Sequence, residues 1–169
     1  IAVTTGPGTF TGTRITVAAA RALALVNDTP IVTLTSLKLM AMNPEARSSG
    51  ARQLAIATDA RRGEVYIERF CPRNLTSLAP PAVLSINEAA VSLGAGPTAL
   101  AGSGAAAVAE AANDMGIVAY ATAVGLLPDA FDMLFWAMSQ KPTATVQPLY
   151  LRPPDAKPPA PSFVSRSAI

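Results

Sequence analysis

The chain has 169 residues, half of them apolar and 14% charged, with a formal net charge of +2. That balance calls for a buried core, and it excludes both a disordered chain and a strongly basic nucleic-acid binder. There is no histidine and one cysteine, Cys71, which removes histidine-based catalysis, internal disulfides and cysteine zinc sites and fits a reducing, cytoplasmic setting.

No stretch reaches the roughly 18 apolar residues of a membrane span, so no membrane contact is expected. Residues 1–5 read as a buried strand. Because the chain opens on Ile1 inside that strand, the natural protein is expected to carry residues ahead of it. Thr5 to Arg14, TGPGTFTGTR, then forms a glycine-rich loop leading into a helix over 13–27. Gly6, Gly8 and Gly12 permit a tight turn, Pro7 stiffens it, and Thr9 or Thr11 caps the helix. The free N–H groups at the helix start suit an anion or a partner. The loop lacks both the phosphate-loop and the dinucleotide pattern, so it also reads as a plain strand-to-helix connection.

In that helix Ile15, Ala19, Leu23 and Val26 recur at helical spacing and are expected to face the core. Arg14, Ala18, Arg21 and Leu25 fall on another side. Small residues between two arginines there suit either close approach of a second helix or a solvated face. Residues 27–30 stop the helix, 31–34 form a second strand, and Thr35 or Ser36 caps a helix over 37–42. Alternation of strand and helix implies right-handed parallel crossovers.

Residues 45–52 are polar and mark a lobe boundary. Gln53–Thr58 and Glu64–Phe70 alternate and pair as a hairpin, with Asp59-Ala60-Arg61-Arg62-Gly63 at its tip and Gly63 free to take positive φ. The charged tip reads as a solvated turn, or as two arginines able to hold a phosphate or carboxylate. Residues 74–81 read as a loop and 82–84 as a short strand. Ser85 or Asn87 then caps a helix to Leu93, and a strand covers 97–101.

Gly102-Ser103-Gly104 opens an Ala-rich helix over 105–113, a second place for an anion or an ordinary turn. Residues 117–120 form a strand. A last helix starts at Pro128, with Phe131, Leu134, Phe135 and Met138 on its apolar face and Trp136 at the lobe boundary. Leu149–Arg152 suit an edge strand, and 153–169 form a Pro-rich tail. The domains are thus 1–47, the remainder of a first α/β lobe; 48–152, a second α/β lobe; and the tail. No carboxylate cluster, metal spacing or nucleophile–base pair accompanies them.

Three of these segments together resemble one family. Gly6-Pro7-Gly8-Thr9-Phe10-Thr11-Gly12-Thr13-Arg14 is similar to its G-P-G-S-F-T-G-[LV]-R signature. Asp59-Ala60-Arg61-Arg62-Gly63-Glu64-Val65-Tyr66 is similar to its D-A-R-x-G-E-V-Y hairpin, and Pro148-Leu149-Tyr150-Leu151-Arg152 to its terminal P-x-Y-L-R element. The family is TsaB, also called YeaZ. Thr9 and Thr13 depart modestly from the signature, and family members carry a further hairpin, strand and helix ahead of it.

The resemblance implies an α/β, two-lobed actin/hexokinase/Hsp70-like ATPase fold. It implies a non-catalytic subunit that pairs with the catalytic paralogue TsaD, with the ATPase TsaE joining, in making threonylcarbamoyladenosine on tRNA. On this reading ATP is used by the complex, with no cofactor assigned to this chain, and tRNA is met only through the complex. The partner face is expected at Phe10, Arg14, Ala18, Arg21 and Leu25, with a homodimer through the same face left open. The zero histidine count and the arginines in place of hairpin glycines agree with a scaffold and oppose the old glycoprotease label. The alternative is a nucleotide-binding small-molecule kinase or ATPase using the Gly102–Gly104 turn.

Overall fold

The computed structural model describes residues 1–47 and 50–152, and the expected tail lies outside them. Two sheets organise the chain. Strand β1 (Ala2–Thr4) pairs in parallel with β2 (Val32–Leu34), and helix α1 (Phe10–Asn27) is the crossover between them. Helix α2 (Ser36–Met42) follows, capped by the Thr35 hydroxyl, which accepts from Lys38 N. A second, five-stranded sheet has the order β5-β4-β3-β6-β7. Its strands are β3 (Gln53–Asp59), β4 (Glu64–Phe70), β5 (Ser77–Ser85), β6 (Thr98–Ala101) and β7 (Ala119–Ala123). The β3–β4–β5 part is antiparallel, whereas β6 joins β3, and β7 joins β6, in parallel.

Both faces of this sheet are covered, so β3 carries an almost unbroken apolar run and buries both its sides. On one face Ala57, Val65, Ile67 and Leu100 pack with helices α3 (Ile86–Ser92) and α4 (Ala105–Asp114). On the other, Leu54, Ile56 and Phe70 pack with Leu37, Met40 and Ala41 of α2. Helix α2, which follows β2 directly in the chain, thus packs on the large sheet. Helix α3 begins with the capping box its sequence spells, Ser85 and Glu88 exchanging bonds.

Four expectations need correction. Ile15, Leu23 and Val26 are exposed, as is Ala19, and the buried stripe of α1 is Val17 and Ala20. Helical spacing identifies an apolar face without saying what covers it, and a two-strand sheet is wide enough for one narrow stripe. Residues 77–85 form one nine-residue strand, in place of the loop expected over 74–81. Pro80 and Pro81 suggest a loop, but β5 is an edge strand, where a missing N–H is tolerated. The segment after Pro128 is a 3₁₀ turn (Ala130–Met133) and a short helix α5 (Leu134–Met138), and Phe131, Leu134, Phe135 and Met138 are exposed. Residues 149–152 run extended without forming a strand, and Leu149 N donates to Thr5 O at 2.8 Å.

Candidate functional site

The glycine-rich loop is held from below. Ser36 N donates to Gly6 O at 2.8 Å, and the Ser36 hydroxyl donates to Pro7 O. Thr9 is the cap of α1, its hydroxyl accepting from Gly12 N at 3.2 Å. A Cβ on Gly12 would lie 2.7 Å from that hydroxyl oxygen, so the cap itself demands glycine. The helix therefore starts at Phe10, a turn earlier than expected.

From this loop Phe10 and Arg14 project one turn apart. The Arg14 guanidinium lies 3.8 Å above the Phe10 ring, a cation–π distance. Its Nε donates to Tyr150 Oη at 2.6 Å, and the Phe10 and Tyr150 rings are 5.7 Å apart. Two residues on, Arg152 forms an ion pair with Glu64 at the far side of the hairpin turn. The terminal segment thus touches both of the other motifs, through Tyr150 to Arg14 and through Arg152 to Glu64. Tyr66, by contrast, points into the sheet core against α2.

The hairpin turn is strained. Arg61, Arg62 and Gly63 have φ of 64°, 61° and 72°, the left-handed region that L side chains seldom enter. Sequence anticipated this at Gly63 only. Arg61 N donates to Asp59 Oδ1 at 2.8 Å, and Ala60 N to Glu64 O at 2.9 Å, which holds the turn closed. Its outer rim is Arg61, 88% exposed at the side chain and 3.5 Å from Asp59. An ion pair this exposed contributes little to stability.

The Gly102–Gly104 turn sits against the same hairpin. Gly104 N donates to Ala57 O at 2.9 Å, and Ser103 Oγ accepts from Asp59 N at 3.0 Å. Its glycines are explained by this contact with β3.

Above the loop, α1 presents a wide uncovered face. Arg14, Ala18, Arg21 and Leu25 all lie on exposed positions, with Leu25 84% and Val26 82% exposed. Together with Ile15 and Leu23 this makes an apolar strip edged by two arginines. It is broader than the sequence suggested, because the residues expected in the core lie on it too.

One buried group escaped the sequence reading. Glu68 of β4 is buried, and burial pushes its carboxyl up from the usual value, against hydrogen bonds from Thr35 and Ser77 and the nearby Lys38. Thr35 Oγ1 donates to Oε2 at 2.7 Å. Ser77 Oγ lies 3.1 Å from Oε1 and 2.8 Å from Ala79 O, two acceptors for one hydroxyl proton. The Ser77 proton is therefore shared between the carboxylate and the Ala79 carbonyl, which weakens the bond that would offset the burial of the charge. The available signal was an acid between Tyr66 and Phe70 on the α2-facing side of β4.

A raised folded pKa means that stability falls as pH climbs from the unfolded value through the folded one. Glu68→Gln copies the neutral acid and should abolish that fall. We expect the variant to gain stability relative to wild type as pH rises from near 4 to 7. Urea melts across that range check it, and a pH-independent difference would contradict a raised Glu68 carboxyl.

Two sheets, with a strand, loop and helix unit in each, define a member of the actin/hexokinase/Hsp70-like ATPase class. The family model described as TsaD, tRNA N6-adenosine threonylcarbamoyltransferase, matches residues 1–147. The chain belongs to that family, and the relatives it resembles carry the names TsaB and YeaZ. It is 44% identical over 61 residues to the tRNA threonylcarbamoyladenosine biosynthesis protein TsaB of Escherichia coli K12, a stretch covering 36% of this chain and 26% of that protein. Among solved structures, a Pseudomonas aeruginosa protein described as similar to peptidase YEAZ superimposes with a TM-score of 0.68 at 29% identity, over 89% of this chain and 73% of that one. YeaZ from the same organism gives 0.65 at 29% identity, over 89% and 74%.

Proposed function

We infer that this chain is a non-catalytic subunit in tRNA threonylcarbamoyladenosine formation, which binds and activates the catalytic paralogue TsaD. The observation that carries the reading is the uncovered face of α1: a helix of 18 residues with only Val17 and Ala20 buried. An apolar strip of this kind, rimmed by Arg14 and Arg21 and anchored by Phe10, has the make-up of a protein interface. Phe10, Arg14, Ala18, Arg21 and Leu25 are its contact residues, with a homodimer through the same face as the competing use. TsaE joins the assembly, ATP is consumed by the complex, and tRNA is reached through it.

Further support comes from chemistry. The Escherichia coli relative is a tRNA threonylcarbamoyladenosine biosynthesis protein by name. A metal-dependent peptidase needs a ligand cluster, and no group of three or more His, Cys, Asp or Glu able to hold a metal occurs among the described residues. No helix among them is long and apolar enough to cross a membrane.

The reading is tested by light-scattering mass after gel filtration of this chain, the paralogue and their mixture. A one-to-one complex is the expected result. Separate elution of two well-folded proteins overturns it. The kinase-like alternative has one observation in its favour: α4 begins without a side-chain cap. Nucleotide binding by the isolated chain would favour that alternative.

A further inference from the structure

We propose that residues 148–152 act as a strap that couples the exposed face of α1 to the strained turn of the second-lobe hairpin. The proposal rests on the partner-face reading for its purpose, but its physical content concerns this chain alone.

The strap touches three things in five residues. Leu149 N is bonded to Thr5 O, directly before the glycine-rich loop. Gly6 leaves room for it, since a Cβ there would lie 3.3 Å from Leu149 O. Tyr150 Oη accepts from Arg14, whose guanidinium is stacked on Phe10. Arg152 then reaches the other lobe and pairs with Glu64. The strap belongs to no sheet, so these contacts, one through the backbone and two through side chains, bear on its position. Arg14 has its rotamer fixed by Tyr150, and Tyr150 is two residues from the ion pair that grips the turn. A shift of Arg14 is therefore felt at Glu64.

The element at the far end is suited to respond. The bonds that hold the consecutive left-handed arginines include Ala60 N to Glu64 O, Glu64 N to Arg61 O, Ile86 N to Gly63 O and Arg61 N to Asp59. Strained residues persist only where their surroundings over-determine them. Glu64 is one of those surroundings, and the strap is what pulls on it. Occupation of the α1 face by a partner, which must engage or displace Arg14, thereby changes the stability of the Asp59–Glu64 turn.

Coupling of this kind is reciprocal, and that makes it testable without a partner. The experiment is amide hydrogen exchange on the full chain. Tyr150→Ala should speed exchange at the turn amides of Ala60 and Glu64 by roughly threefold or more. Glu64→Gln should speed exchange in the first turn of α1, at Thr13 and Arg14, by a similar factor. If each substitution changes exchange only at its own end, the strap carries no coupling and the proposal is wrong. The light-scattering experiment decides the partner-face reading separately, so the two fail in different assays.

Discussion

Gly102→Ala should lower the stability of this protein by about 2–4 kcal/mol, the sum of a forced left-handed residue and an overpacked contact. Gly102 has φ of +101°, and an added Cβ would lie 2.5 Å from Ala57 O and 3.2 Å from Met40 Cε. The carbonyl is backbone of β3, where Ala57 pairs with Ile67 of β4 just past the end of the β3–β6 ladder and accepts from Gly104 N. It has nowhere to move. Gly104 is crowded too: its N donates to the same carbonyl, and a Cβ there would lie 2.7 Å from Val65 Cγ1. Gly63→Ala supplies the control. Its φ is +72°, but nothing lies within 4 Å of the new Cβ. It should cost about 1–2 kcal/mol, the conformational part alone. Urea melts of both variants separate the two contributions. Equal losses would show that the Ala57 contact is not what requires glycine at 102.

This pair also shows where the sequence was readable and where it was not. Gly102-Ser103-Gly104 announces a turn by composition. What it cannot announce is that the turn is pressed against a strand 45 residues earlier, which converts an apparent anion loop into a packing contact. Strand and helix alternation, the hairpin and the caps, each narrowed to two residues of which Thr9, Thr35 and Ser85 serve, were legible because each is local: a polar side chain, a period, a turn residue. The faces of α1 were not. Periodicity ranks Ile15, Ala19, Leu23 and Val26 as apolar, but burial depends on how many strands lie beneath, and β1 and β2 shelter only Val17 and Ala20. Pro80 and Pro81 misled for a related reason, since edge position decides whether a proline breaks a strand. At the site, the sequence supplied each motif by resemblance. It gave no hint that Tyr150 Oη would accept from Arg14 or that Arg152 would reach Glu64, because side chains from three distant segments meet only after the lobes are assembled.

Ala18→Glu should weaken association with the catalytic paralogue by about 100-fold or more, equivalent to about 2.7 kcal/mol, while leaving the fold intact. Ala18 is exposed in the middle of α1, between Arg14 and Arg21 and away from the buried Val17 and Ala20. A small residue at that place allows another helix to approach closely. A glutamate there would have to be desolvated, and it would force the partner outward by the length of its side chain. In the free chain the same glutamate stays in water beside two arginines, so its effect on stability should lie within about 0.5 kcal/mol. Ala106→Glu, on the exposed side of α4 in the other lobe, makes the same chemical change far from the assigned face and should leave the complex unaffected. Light-scattering mass of each mixture reads the outcome. Loss with Ala18→Glu and retention with Ala106→Glu places the partner on α1. Retention with both moves the contact elsewhere and leaves the broad apolar strip of Ile15, Leu23, Leu25 and Val26 as the surface through which copies of this chain meet one another, which the mass of the chain alone then reveals.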